Sequence, residues 1–233
     1  MLISLSHRFL FVANVKTASS SIEAALRPFA EIAISETRFG KHIGFAEIEE
    51  RFDFIFRKEP LANFFKFAVV RDPLDMLISL YASHQKPAFE GKPHYTGGLS
   101  FAEFLPLFRA RQSWQLAPQA SRLADRQGRM RMDYLIDFDR LEEQFAEVLR
   151  LIGLPEIALP RHNESPDVIT PADVPPALRR QIAQEYRQDR RIKRTLTGRL
   201  LRPAAAARPS GASDTEATAS DEAAPLACGG ASA

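Results

Sequence analysis

Lys16, Thr17, Ala18, Ser19, Ser20 and Ser21 are consecutive, giving the segment KTASSS. A lysine followed by hydroxyls suits an anion: the ammonium is a mobile point charge and the hydroxyls are short-range donors. The flanks say how such a segment is held. Residues 9–12, FLFV, form a continuous apolar run of the kind found in strands buried on both faces. Ile22, Ala25, Leu26 and Phe29 then recur at helical spacing. Ser20 with Glu23 three residues on is a capping-box pattern, which predicts that the helix starts at the serines. The order is strand, tight loop, helix. Phosphate or sulfate docks on the unpartnered N–H groups and positive dipole of such a helix start. The plain alternative is an ordinary strand-to-helix turn that contains a lysine.

A second pair of residues has a similar setting. Residues 64–71, FFKFAVVR, predict another buried strand, and Asp72-Pro73 then predict an N-cap followed by the first helical residue. Leu74, Leu77, Ile78 and Tyr81 make the inward stripe of that helix. Arg71 therefore falls at the C-terminal end of a strand, the edge at which α/β sheets bind ligands. Ser79 falls two turns into the helix. The alternative is a surface arginine beside a helix cap, with a serine bonded to its own backbone.

The loop is not a Walker A sequence, which needs GxxxxGK[ST]: it has no glycine, and its lysine precedes the turn. It resembles instead the 5′-phosphosulfate loop of the sulfotransferases, K-T-small-small-[ST]-[ST], with a close version in the carbohydrate and uronyl 2-O-type enzymes. Ala18 and Ser19 stand where many members have glycines. The stretch KFAVVRDPLDMLISLY resembles the family's 3′-phosphate motif, an arginine with a serine eight residues later, matched by Arg71 and Ser79. The resemblance implies a P-loop-like α/β fold that binds 3′-phosphoadenosine 5′-phosphosulfate (PAPS) as co-substrate, with no metal. It also implies a role for His42, in the segment GKHIG between the two motifs, as the base that takes the acceptor's proton. An imidazole with an ordinary pKa of about 6.5 suits that work. The segment LPRHNESP resembles the family's donor-closing loop and implies nucleotide contacts from Arg161, Asn163 and Ser165.

The remaining chain reads as scaffold. Residues 45–52 predict a helix. Residues 86–100 predict a turn-rich loop made basic by His84, Lys86, Lys92 and His94, either an acceptor-contacting lid or a solvated loop. Residues 101–108 predict a short helix interrupted at Pro106 or restarting after it. Arg109, Arg111 and Trp114 follow; arginine beside an indole suits an acidic sugar, and Trp114 as ordinary core is the simpler expectation. Residues 134–138 predict a third strand, and Asp139 with Glu142 a second capping box. Residues 175–191 predict one final helix. Nine basic residues against two acidic ones lie between Arg179 and Arg202, a solvated helix face or a surface for a polyanionic acceptor.

With 233 residues the chain suffices for one α/β domain with a real core. Alternating strands and helices predict a mostly parallel sheet flanked by helices on both faces. That domain is expected over residues 1–202. Residues 203–233, with alanine at 12 of 31 positions, cannot bury enough apolar surface to offset ordering and are expected to be disordered. A net charge of +2 gives no electrostatic argument for nucleic acid as a partner. No apolar run approaches the ~20 residues that span a bilayer, and the N-terminus is too soon charged for a signal peptide. Cys228 is the only cysteine, so a reducing cytoplasm is the expected location. The expected activity is sulfuryl transfer from PAPS to a hydroxyl, of a carbohydrate acceptor. A P-loop-type small-molecule kinase and a catalytically silent nucleotide-binding module are the competing readings.

Overall fold

A computed structural model describes residues 1–35, 41–92, 94–160, 162 and 168–201. The expected tail, Gly40, and the candidate contacts Arg161, Asn163 and Ser165 lie outside the described residues. Five strands form one open sheet in the order β3-β1-β2-β4-β5. They are β1 (Leu2–Ser4), β2 (Phe9–Val12), β3 (Ile32–Ala33), β4 (Phe65–Val70) and β5 (Tyr134–Asp137). The three longest run parallel: Phe11 pairs with Phe67, and Phe67 with Tyr134. β1 turns back against β2, with Leu2 opposite Phe11, and β3 pairs antiparallel with β1 at the edge. This antiparallel edge was not apparent in the sequence, because strands of two or three residues leave too short a pattern.

The period-two alternation of each strand feeds two cores. Phe9, Phe11, Phe67, Val69 and Ile136 point to one face, where α1 (Ser19–Leu26) and α6 (Leu141–Leu151) cover them with Ile22, Leu26, Phe145, Val148 and Leu149. Leu10, Val12, Ala68, Val70 and Leu135 point to the other. They meet α2 (Phe45–Arg51), the short α5 (Gln119–Arg122) and α8 (Arg187–Leu196). A third cluster joins α3 (Pro73–Ser83), α4 (Phe101–Arg111) and α7 (Pro176–Glu185) beside the C-terminal strand ends. The molecule is thus a single α/β domain with helices on both faces, as the sequence predicts.

Some local expectations are corrected. Ser20 and Glu23 make no capping box. The N-cap of α1 is Ala18, with no side-chain cap, and Glu23 turns to Lys41 Nζ at 3.1 Å and the Met1 amine at 2.7 Å. Asp139 is not the cap of α6. The Asp137 carboxylate accepts from Asp139 N, and a 3₁₀ turn (Phe138–Arg140) leads into the helix. α4 runs through Pro106 without interruption. Ala102 and Pro106 are both exposed, so the carbonyl whose donor proline lacks is not shut away from solvent. Its start carries the capping box that the sequence reading missed, Ser100 with Glu103. The final helix is two. Tyr186 leaves helical geometry between them, its ring buried in the third cluster and its hydroxyl donating to Leu116 O at 2.7 Å.

Candidate active site

A cleft of about 680 Å³ opens at the C-terminal edge of the parallel strands. Residues 16–21, Arg71 and Ser79 all line it. The two stretches meet directly: Arg71 Nη1 donates to the Lys16 carbonyl at 3.2 Å. Parallel pairing of β2 with β4 sends the chain that follows each strand to the same edge, so motifs 55 residues apart in sequence share one cavity.

The loop takes the shape glycine would favour, without glycine. Lys16 has φ 58° and Ala18 φ 55°, both in the left-handed region, at a cost of about 1–2 kcal/mol each for an L-residue. Because no side chain caps α1, its first turn opens onto the cleft. The hydroxyls are not equivalent. Thr17 is buried and gives its proton to Asn14 O at 3.1 Å, so in this structure it is a brace for the loop rather than a donor into the cleft. Ser20 Oγ accepts from Lys41 Nζ at 3.0 Å. Ser21 Oγ accepts from the backbone N–H of His162 at 3.2 Å. That contact brings residues 159, 160 and 162 to the cleft wall beside the undescribed positions.

Lys16 sits among other cations. Burial lowers the Lys16 pKa to about 8, and the neighbouring cations Lys86, Arg71 and Lys41 add to the effect. Arg71 lies over the Phe138 ring, its Cζ 4.2 Å from the centroid, and its buried Nε has no hydrogen-bond partner among the described residues. Cations crowded at a helix start, with an orphaned guanidinium N–H, form a cavity that an anion completes.

A family model described as "Sulfotransferase family" matches residues 2–192. The chain belongs to the sulfotransferase family. No curated protein and no solved structure matches it. The protein is therefore a sulfotransferase, an enzyme that acts on a hydroxyl-bearing acceptor. Among the described residues no helix is long and apolar enough to cross a membrane, and no three His, Cys, Asp or Glu side chains cluster as metal ligands would.

His42 lines the same cleft of the sulfotransferase. Its Nδ1 lies 2.9 Å from Ala13 O. A carbonyl only accepts, so Nδ1 carries the proton and Nε2 keeps its lone pair. Burial lowers the His42 pKa to about 4; the Ala13 bond opposes it, and the smaller effects of the Lys41 and Arg122 charges add to the lowering. The ring is thus neutral at physiological pH.

Trp114 is not core. It is 50% exposed, lines the cleft, and has its ring centroid 6.3 Å from that of His42. Its Nε1 donates to Gln112 Oε1 at 2.9 Å. The arginine that frames it is Arg122, which donates to the carbonyls of both His42 and Trp114. Arg109 instead pairs with Glu185. His84, expected to add charge to a loop, is buried against Phe89 and Phe108, and burial lowers its pKa. Lys41, Arg122, Phe138 and Gln119 were all missed in the sequence. Lys41 had a signal, its place beside His42; the others are joined to the site only by folding.

Proposed function

We propose that this sulfotransferase uses PAPS as donor and a carbohydrate hydroxyl as acceptor. The observation that carries the donor assignment is the single cleft shared by the Lys16 loop and by Arg71 with Ser79. A nucleotide with anionic groups at both its 5′ and 3′ positions needs two such cationic walls. The first-turn N–H groups of α1, with Lys16 and Ser19, hold the 5′-phosphosulfate, and Lys41 reinforces the wall through Ser20. Arg71 and Ser79 receive the 3′-phosphate. Ala18 shapes the loop rather than contacting the donor through a side chain. Arg161, Asn163 and Ser165, outside the described residues, are assigned to nucleotide contact on the resemblance of the segment LPRHNESP alone.

In the reaction the acceptor oxygen attacks sulfur in line. The new O–S bond forms as the bond from sulfur to the 5′-phosphate oxygen breaks, and adenosine 3′,5′-bisphosphate (PAP) leaves with that electron pair. Lys16 stabilises the charge developing on the leaving oxygen, an interaction that strengthens toward the transition state. His42 Nε2 accepts the acceptor's proton, with Nδ1–H held by Ala13 fixing the ring. Trp114, half-exposed near that imidazole, offers an indole face to the apolar side of a sugar ring. This supports the carbohydrate assignment.

Titration calorimetry with PAP and with ATP tests the donor. Tight PAP binding with weak ATP binding is expected; the reverse, with a Mg²⁺ requirement, makes the protein a kinase-like nucleotide binder. Transfer of labelled sulfate to a glycan panel tests the acceptor, and labelling of non-carbohydrate hydroxyls alone would reject it. PAP binding with no transfer to any acceptor would leave a silent binding module.

A further inference from the structure

Gln119 and Asp189 are buried polar residues that line no part of the cleft, yet both act on its wall. Arg71 is the first residue beyond β4. The β4–β5 ladder ends at Val70 with Asp137, and the β2–β4 ladder at Ala68 with Val12. The N–H and C=O of Arg71 thus emerge from the sheet with no strand beside them, and buried backbone groups need partners. The Gln119 amide supplies both. Its Oε1 accepts from Arg71 N at 3.0 Å, and its Nε2 donates to Arg71 O at 2.8 Å. One side chain does here what a neighbouring strand does elsewhere.

Gln119 is itself fixed from a third element. It is the first residue of α5, whose N-cap is Pro118, a residue with no side-chain acceptor. The cap comes instead from α8: Asp189 accepts from Gln119 N at 2.8 Å and from Ala120 N at 2.9 Å. Gln119 is 1% exposed and Asp189 0%. An acidic residue fully buried on a helix otherwise rich in exposed arginine needs a reason, and this connection is one.

We propose that Gln119, anchored by Asp189, is a positioning residue for the donor nucleotide, fixing the Arg71 backbone so that its guanidinium meets the 3′-phosphate. The inference rests on the reading that Arg71 receives that phosphate. The guanidinium is then set at three points: Gln119 on the backbone, Phe138 beneath the plane, and Lys16 O on Nη1. Displacement of the strand end moves the charge away from its ligand while the 5′ wall stays in place.

The test is the preference for PAP over adenosine 5′-monophosphate, which lacks the 3′-phosphate. Gln119→Leu should reduce that preference roughly tenfold, the scale of one misaligned charge-assisted contact, with affinity for the monophosphate unchanged. Asp189→Asn should act in the same direction and less. In the Arg71→Ala background, Gln119→Leu should cost no further preference. Equal weakening of both nucleotides, or full additivity with Arg71→Ala, would show a role in folding alone and overturn the proposal. If Gln119→Leu does not fold, Gln119→Glu carries the same test, since it sets an anion against the Arg71 carbonyl. A wild-type protein with no preference for PAP would instead refute the 3′-phosphate reading itself. Loss of preference in Arg71→Ala with none in the Gln119 variants would refute only the positioning role.

Discussion

Two lysines at opposite edges of the same sheet show what each edge is for. Lys66 sits near the start of β4, 4% exposed, with Asp133 Oδ2 2.8 Å from its ammonium and Phe64 O accepting from it. The same carboxylate oxygen accepts from Lys66 N at 2.8 Å. Lys16 follows the other end of the parallel neighbour β2. The charges acting on it are the cations Lys86, Arg71 and Lys41. One lysine is neutralised by the fold, whereas the other is held among like charges at a left-handed position. The N-terminal edge spends its buried charge on stability. The C-terminal edge holds Lys16 among like charges and facing a cleft, an arrangement that an anionic substrate relieves.

Substituting the two lysines in the same way tests this contrast most severely. Lys66→Met strands the Asp133 carboxylate and should destabilise the fold by about 3–5 kcal/mol, read by denaturant unfolding, with turnover per folded molecule unchanged. Lys16→Met should do the reverse. Transfer should fall by about 10²–10³-fold, while unfolding at pH 7 becomes harder by about 1–3 kcal/mol. The sign follows from the lowered pKa. The fold favours neutral Lys16, so its contribution is complete above the ordinary 10.5 and is lost as pH falls through about 8. The stability gap between variant and wild type should therefore close between about 8 and 10.5. A Lys16 variant less stable than wild type at pH 7 would break the comparison.

The pH dependence of kcat/KM sharpens it further. In the proposed mechanism the free enzyme needs neutral His42 and charged Lys16, so the profile should have an acid limb near about 4 and an alkaline limb near about 8. Neutral His42 also carries a stability term, present above 6.5 and lost as pH falls through about 4. Loss of the acid limb in a His42→Ala variant that retains PAP binding would assign the limb to His42. An acid limb that persists there would remove His42 from the proton transfer.

The smallest effect concerns the acceptor side. Trp114→Ala should raise the acceptor KM about tenfold, the worth of one lost aromatic contact, with PAP affinity unchanged. Trp114 is the only tryptophan, so its fluorescence should respond to acceptor and much less to PAP. A response to PAP alone would place the indole at the donor.

The two strand-to-helix junctions were legible because both are local. A strand, a break and a helix start are written in consecutive residues, and the lysine, arginine and serine that matter are part of those junctions. Even there, the sequence misled on detail. Ser20 and Glu23 have capping spacing, but Lys41 and the Met1 amine, brought in by folding, compete for the glutamate. Trp114 looked like core because a lone indole in an apolar chain usually is. Nothing near it in sequence reveals that the chain around it passes a cleft.

By itself the sequence determined the α/β alternation, the two anion-directed junctions and the family to which they belong. These depend on periodicity and on residue types a few positions apart, which short-range sterics and helix-end hydrogen bonding translate directly into structure. The tertiary structure alone decided that the junctions face one cleft, that Lys41 reaches Ser20 and Glu23, and that Gln119 and Asp189 stand behind Arg71. Those outcomes depend on strand order and on which buried polar groups remain unpaired once the sheet closes. Such pairings join residues tens of positions apart, and no local pattern encodes them.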